Sequence, residues 1–163
     1  MSRSPQKSTT DKPMKPMLAS SVTKMDEVQF PVMLSPKLDG IRIIITPEGP
    51  RTRTLKPIPN LHIRQVLSAP EFLYLDGELI VGDVTDPKVF NNTQSAVMSV
   101  EGTPDFSFIV FDKFEHPEKP YRERYEDALA SVEVRTLTPE VQCYGVVNTL
   151  VESTADLPSW LNT

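Results

Sequence analysis

The chain has 163 residues, a formal net charge of −5 and an apolar content of 39%, which favours one folded domain over a disordered chain. Its apolar runs are only a few residues long, whereas a membrane-spanning helix needs roughly 18–20, so we expect no membrane partner. The first twenty residues lack the apolar block of a signal peptide. The single cysteine, Cys143, excludes an internal disulfide and fits a reducing, cytoplasmic location.

Charge is distributed unevenly along the chain. Residues 37–64 carry six basic and two acidic side chains, whereas the residues from 101 onward carry five basic and twelve acidic ones. Because basic surface attracts anions, we expect an anionic ligand to bind near residues 37–64. An ordinary solvated face remains the alternative interpretation of such a charge run.

The first elements surround a short polar segment. Residues 1–14 are polar and contain prolines, which predicts a flexible tail before a domain over 15–163. Apolar, β-branched runs predict strands over 30–36 and 41–46. After a turn, residues 51–55 form a possible third strand.

The middle of the chain alternates between helical and extended patterns. Residues 57–70 predict a turn and a short helix with Asn60 as its N-cap. Residues 72–82 predict a strand. The next helix is predicted over 86–99, with Asp86 as its N-cap.

The last elements complete the fold class. Strands are predicted over 106–114 and 141–147, a helix over 121–134 and a helical turn over 153–163. Strands and helices therefore alternate irregularly. This order predicts an α+β fold with mostly antiparallel sheets and flanking helices.

One segment between the first two strands combines residues suited to chemistry. Lys37, Asp39, Gly40 and Arg42 lie within six residues. A lysine is nucleophilic only when neutral, and nearby cations or desolvation favour that form. Asp39 lies on the same side as Lys37 in an extended backbone and could orient its ammonium group or help to hold a metal. The alternative is that this segment is the tip of a surface β-hairpin, in which Asp39 and Gly40 form the turn.

Two later strands add candidate ligand-binding residues. Alternation places Asp76 and Glu78 on one face of their strand, where they are solvated, paired, or bound to a metal or sugar. In the next strand, alternation places Phe108 and Asp112 on one face and Phe111 on the other. Phe111 could stack on a flat base, although a strand phenylalanine is usually a core residue.

A proline-stiffened loop carries two further cations. Arg53 and Lys56 lie in a stretch whose rigidity suits contacts with phosphate groups. The alternative is that they are ordinary surface cations.

Together these elements resemble the adenylation domain of ATP-dependent DNA ligases, within the covalent nucleotidyltransferases. The resemblance rests on KLDGIR (37–42), LDGELIVG (75–82), FIVFDKF (108–114) and KPMLAS (15–20). The arrangement looks most like that of small bacteriophage ligases. It implies an ATP-grasp-like nucleotidyltransferase fold.

The resemblance also implies roles for individual residues. Lys37 would attack ATP and carry AMP, and the substrate to be sealed would be nicked duplex DNA. Asp39, Arg42 and Glu78 would contact the nucleotide, with Glu78 also a candidate Mg²⁺ ligand, and Phe111 would stack on adenine. Arg53 and Lys56 would contact DNA phosphates.

The resemblance stops before two elements that the ligase family uses. A Glu-Gly strand and a Lys-x-Lys strand are missing, no basic residue follows Arg135, and the DNA-wrapping OB-fold domain is absent. The sequence therefore predicts a partial adenylation domain with impaired activity. Three alternatives remain: a non-catalytic remnant, a half completed by a second polypeptide, and an RNA ligase or capping-type nucleotidyltransferase.

Overall fold

The structure, a computed structural model, describes residues 15–16, 18, 20–133 and 142–158. The expected tail over residues 1–14 lies outside these residues. The strands are β1 (Val32–Leu34), β2 (Ile41–Thr46), β3 (Gly49–Thr52), β4 (Leu75–Ile80), β5 (Ser107–Lys113), β6 (Gln142–Gly145) and β7 (Thr149–Val151). The α-helices are α1 (Leu61–Leu67), α2 (Val89–Met98) and α3 (Tyr121–Glu133). In the described part of the chain, no helix is long and apolar enough to cross a membrane.

Two sheets organise the molecule. The larger has the strand order β3-β2-β4-β5-β6, and the smaller pairs β1 with β7. Every pairing is antiparallel except β5 with β6, which α3 connects, as parallel strands require a crossover. The predicted α+β fold with mostly antiparallel sheets is therefore confirmed.

The larger sheet separates an apolar face from a face with polar residues. Because side chains alternate along a strand, one face of the central strands is entirely apolar and joins the main core. That core includes Ile43 and Ile45 of β2, Leu75 and Leu79 of β4, and Phe108 and Val110 of β5. Ile63 and Leu67 of α1 and Val97 of α2 also belong to it. The opposite face is free to carry Arg42, Asp76 and Glu78.

The first two strands do not form a hairpin. β1 pairs with β7, with Val32 opposite Val151, while β2 lies in the other sheet between β3 and β4. The hairpin-tip alternative for the lysine segment is therefore wrong. The sequence did not predict β7, because a three-residue strand is too short to show alternation.

Helix and strand starts were predicted with mixed success. Asn60 is the N-cap of α1, and its side-chain oxygen accepts a hydrogen bond from the Ile63 amide at 2.9 Å. The N-cap prediction for Asp86 is wrong, because its carboxylate bonds the Lys88 amide at 2.8 Å in a turn and α2 begins only at Val89. The third strand was predicted over 51–55 but covers Gly49–Thr52, because the chain turns after Thr52 and Leu55 has a φ of 64°.

An irregularity in β5 overturns the predicted orientation of Asp112. Gly77 of β4 pairs with Val110, but Asp76 pairs with Asp112, so Phe111 is an extra residue between paired positions. Such a bulge interrupts strict alternation. Asp112 therefore lies on the polar face near Arg42 and Arg124 rather than on the apolar face of Phe108.

Candidate active site

The lysine segment is fixed to the end of β4 through Gly40. Its amide donates a hydrogen bond to a side-chain oxygen of Glu78 at 3.1 Å. A Cβ atom at Gly40 would lie 2.3 Å from the Leu79 carbonyl oxygen and 2.5 Å from Cδ1 of Ile80. Only glycine permits so close an approach, so the sequence places a glycine where the segment must touch the sheet.

Lys37 lies at the rim of the polar face. Its side chain is 86% exposed, and Nζ donates to Oδ1 of Asp39 at 2.5 Å. The hydrogen bond to Asp39 and the charge of its carboxylate raise the pKa of Lys37. The lysine is therefore protonated in this arrangement, and nucleophilic attack requires that it lose both a proton and its hold on Asp39.

Glu78 is a half-buried carboxyl beside this segment. Burial raises its pKa from 4.5 to about 7, although the Gly40 amide and the positive charge of Arg42 oppose the rise. Near neutral pH the group can therefore exist with or without its proton. That property suits a carboxyl that exchanges protons or gains a cation when a ligand binds.

Arg42 connects the carboxylates to the aromatic residue. It lies opposite Glu78 on paired strands. Its guanidinium donates to both carboxylate oxygens of Asp76, at 3.0 and 2.7 Å, and lies 5.0 Å from the centre of the Phe111 ring. The paired geometry fixes the guanidinium and leaves a cation against one side of the ring.

A second arginine–aspartate pair follows along the same face. Arg124 of α3 donates to both oxygens of Asp112 at 3.0 Å and to the Lys119 carbonyl at 2.7 Å. Sequence reasoning missed Arg124, because its helix gives no hint of which strand it meets, and it assigned no role to Asp112. The sequence indicated that this helix has a charged face, but it did not indicate that the face packs against Asp112 of β5.

The predicted site residues thus form one group and one outlying pair. Lys37, Asp39, Arg42, Glu78 and Phe111 lie on or beside β2, β4 and β5, the central strands. Arg53 and Lys56 lie exposed on the loop after β3, an edge strand. This separation suits one small ligand at the group and a larger one that extends to the edge.

A cavity of about 320 Å³ adjoins the group. Its lining includes both arginine–aspartate pairs, together with Ile44, Phe114, Pro117, Lys15 and Pro16. Lys37 is not among its lining residues and is exposed. The cavity is therefore lined by the two ion pairs, whereas the candidate nucleophile lies outside it.

The described residues contain no cluster of three or more metal-ligating side chains. Mg²⁺ is commonly bound through one or two carboxylates and the phosphates of a substrate. Glu78 and Asp39 are carboxylates beside the candidate nucleophile, so the donor set fits a magnesium ion that arrives with a nucleotide.

Comparisons with known proteins point to one family. No family model matches the chain. A protein of Streptomyces griseus described as "Probable DNA ligase" is 36% identical over 104 residues, which is 56% of this chain and 20% of that protein.

The solved structure of Chlorella virus DNA ligase-adenylate superimposes with a TM-score of 0.75 and 28% identity, over 90% of this chain and 55% of the viral one. A second structure of Chlorella virus DNA ligase-adenylate gives a TM-score of 0.75 and 29% identity, over 88% and 52% of the two chains. The chain is similar in sequence and in structure to parts of DNA ligases.

The relationship to the ligases covers nearly all of this chain but only part of theirs. It spans about half the length of the viral ligases and a fifth of the Streptomyces protein. The fold expected from the resemblance, an α+β nucleotidyltransferase domain of the ligase type, is confirmed. The Lys37 segment, β4 and β5 carry the ligase-like motifs and adjoin one another on the polar face.

Proposed function

We propose that the chain carries out the covalent first step of an ATP-dependent DNA ligase. The Lys37 amine attacks the α-phosphate of ATP, a nitrogen–phosphorus bond forms, and the bond to pyrophosphate breaks. AMP stays on Lys37 as a phosphoramidate, and the lysine gives up its protons to the surroundings. The observation that carries this proposal is the Gly40–Glu78 hydrogen bond, which fixes the lysine segment beside the polar face.

The remaining roles follow from what each side chain can offer. Phe111 presents a ring on which adenine can stack, and Arg42 backs that ring with a fixed positive charge. Glu78 offers a carboxyl to ribose hydroxyls. Positioning and charge neutralisation carry most of the catalysis in phosphoryl transfer, which agrees with a site made of fixed charges.

The state of Lys37 sets a requirement for the reaction. Asp39 holds the ammonium group and raises its pKa, so the nucleotide must separate the two before attack. Mg²⁺ would be held by Glu78, with Asp39 as the second carboxylate, and would neutralise phosphate charge when bound.

The proposed substrate of the later steps is nicked duplex DNA in the cytoplasm. A ligase moves AMP from its lysine to the 5′-phosphate of the nick, and the 3′-hydroxyl then displaces it. Arg53 and Lys56, exposed at the sheet edge, are the proposed contacts to the DNA backbone. Their loss should weaken DNA binding and its salt dependence without altering the formation of lysyl-AMP.

Intact-mass measurement after incubation with ATP and Mg²⁺ tests the proposal. The protein should gain the mass of one AMP, and added pyrophosphate should remove it. Lys37→Ala should gain nothing, and Lys37→Arg is the matched control that keeps the charge but lacks the nucleophile. An AMP adduct on Lys37→Ala, or no adduct on the unmodified chain, would refute the proposal.

A binding module without chemistry is the second candidate. It is favoured by the exposure and protonation of Lys37. Tyr144, Val147 and Leu150 are large, exposed apolar residues on and beside β6 and β7, which suits a second polypeptide that completes the domain. ATP binding without an adduct, and an adduct only when ligase strands are added in trans, would support this candidate.

A further inference from the structure

A side-chain hydrogen bond holds the backbone of Phe111 at the point where the sheet pairing is interrupted. Phe111 is the extra residue of the β5 bulge and has no paired residue on β4, and the pairing with β6 ends at Val110. A carbonyl outside the ladder needs another partner. The hydroxyl of Tyr121, in the first turn of α3, donates a hydrogen bond to the Phe111 carbonyl at 2.9 Å.

Asn148 fixes Tyr121 in turn. The phenol has one proton, which it gives to Phe111, so toward Asn148 it can only accept. The Asn148 amide nitrogen donates to it at 3.1 Å, which settles the orientation of the amide. Its oxygen is consequently turned away and is the one buried side-chain polar atom without a partner in the described part of the chain.

The same residue joins this arrangement to the nucleophile. Asn148 immediately precedes β7, and Thr149 of β7 pairs with Leu34 of β1. Leu34 lies three residues before Lys37. Tyr121 and Asn148 therefore link the backbone of Phe111 to the strand that leads into the lysine segment.

We propose that Tyr121 and Asn148 are positioning residues, which hold the Phe111 ring at the angle needed to stack a purine and thereby favour purine over pyrimidine nucleotides. The proposal rests on the stacking role of Phe111 in the proposed function. Both residues would act through Phe111 rather than by contact with the nucleotide. A tilted ring loses more contact with the larger base, so the effect of disturbing them depends on the base.

The primary test compares AMP and CMP binding to the full chain by titration calorimetry. Tyr121→Phe removes one hydroxyl and keeps the ring. We expect AMP affinity to fall roughly threefold to tenfold, the effect of one hydrogen bond, while CMP affinity changes less than twofold. Equal losses for both nucleotides would mean a merely structural role and would overturn the proposal.

Tyr125→Phe is the matched control. It lies one turn further along α3, stacks on Tyr121 with ring centres 6.1 Å apart, and donates its hydroxyl to the Val146 carbonyl at 2.5 Å. The same chemical change there should lower stability without changing the ratio of AMP to CMP affinity. A changed ratio in this control would also overturn the proposal.

Two further variants test the direction of the link. Asn148→Asp places an acceptor beside Tyr121, so the phenol proton should turn from Phe111 to the carboxylate and reproduce the effect of Tyr121→Phe with the hydroxyl intact. In a Phe111→Leu background, Tyr121→Phe should cause no further loss of AMP affinity. A full additional loss would show that Tyr121 does not act through Phe111.

Equilibrium binding separates this inference from the covalent reaction. A chain that shows the expected AMP-to-CMP pattern but gains no AMP adduct would keep the positioning role and lose the proposed catalysis. Formation of the AMP adduct, together with an unchanged ratio of AMP to CMP affinity in Tyr121→Phe and in Asn148→Asp, would keep the proposed catalysis and overturn the positioning role. Failure of the unmodified chain to prefer AMP over CMP would overturn the inference.

Discussion

Replacing Glu78 with glutamine should make the protein more stable at alkaline pH. It should also remove the negative charge that we propose for Mg²⁺ binding beside Lys37. Burial raises the pKa of Glu78 from 4.5 to about 7, so the folded state disfavours its ionised form. Glutamine is neutral at every pH and has a similar shape. Its side-chain oxygen can still accept the hydrogen bond from the Gly40 amide that Glu78 now accepts.

The sign and size follow from the two pKa values. Below about pH 4.5 the carboxyl is protonated in both states and carries no penalty, and the penalty grows until the pH exceeds about 7. At about 1.4 kcal/mol per unit, the rise from 4.5 to about 7 sets a ceiling of about 3 kcal/mol. Since solvent reaches part of the side chain and screens its charge, we expect about 1–2 kcal/mol.

Urea denaturation of both proteins at several pH values is the assay. The difference in unfolding free energy should be near zero at about pH 4 and reach about 1–2 kcal/mol in favour of Glu78→Gln at about pH 8. The AMP adduct should be lost or strongly reduced in the variant. A difference in unfolding free energy that is constant with pH, or that favours the unmodified protein at alkaline pH, would refute the conclusion that burial raises the pKa of Glu78.

Two other substitutions test the contacts around the site. Gly40→Ala should cost more than about 2 kcal/mol of unfolding free energy, because the new Cβ would lie 2.3 Å from the Leu79 carbonyl oxygen of β4. An unfolding midpoint in urea close to that of the unmodified protein would show that Gly40 does not approach β4 so closely. Arg124→Ala should cost about 1–3 kcal/mol of unfolding free energy, because it removes the guanidinium that pairs with the part-buried Asp112 and leaves that carboxylate the Lys113 amide as a donor. Arg122→Ala, in an exposed pair on the same helix, should change the unfolding free energy by less than about 0.5 kcal/mol. Similar losses of unfolding free energy from the two arginine substitutions would show that the Arg124–Asp112 pair stabilises the fold no more than an exposed ion pair does.

Alternation along single strands was enough to predict much of the fold and part of the site. The shared face of Asp76 and Glu78 followed from period two, because β4 pairs with β2 without a register shift between them. Asn60 was predicted as a cap because its interaction with Ile63 lies within three residues. The closeness of Lys37 and Asp39 was equally local. Each of these features depends on neighbours in sequence.

The features that the sequence did not predict depend on distant pairing. The bulge that turns Asp112 toward Arg124 exists only because β4 pairs with β5 in a shifted register. β7 becomes a strand only beside β1. Tyr121 and Asn148 have no motif of their own, and their importance is visible only through the hydrogen bonds to Phe111 and to each other.

The small sheet also determines when the lysine segment can assemble. β1 and β7 join residues 32–34 to residues 149–151, so this contact closes a loop of most of the described chain. Loop closure of that length is entropically unfavourable and belongs to the slow part of folding. During synthesis β1 emerges early and must wait, unpaired, until β7 has left the ribosome. We therefore expect the proposed nucleotide site to be completed last, and hydrogen exchange at β1 to become slow only after the five-stranded sheet is protected.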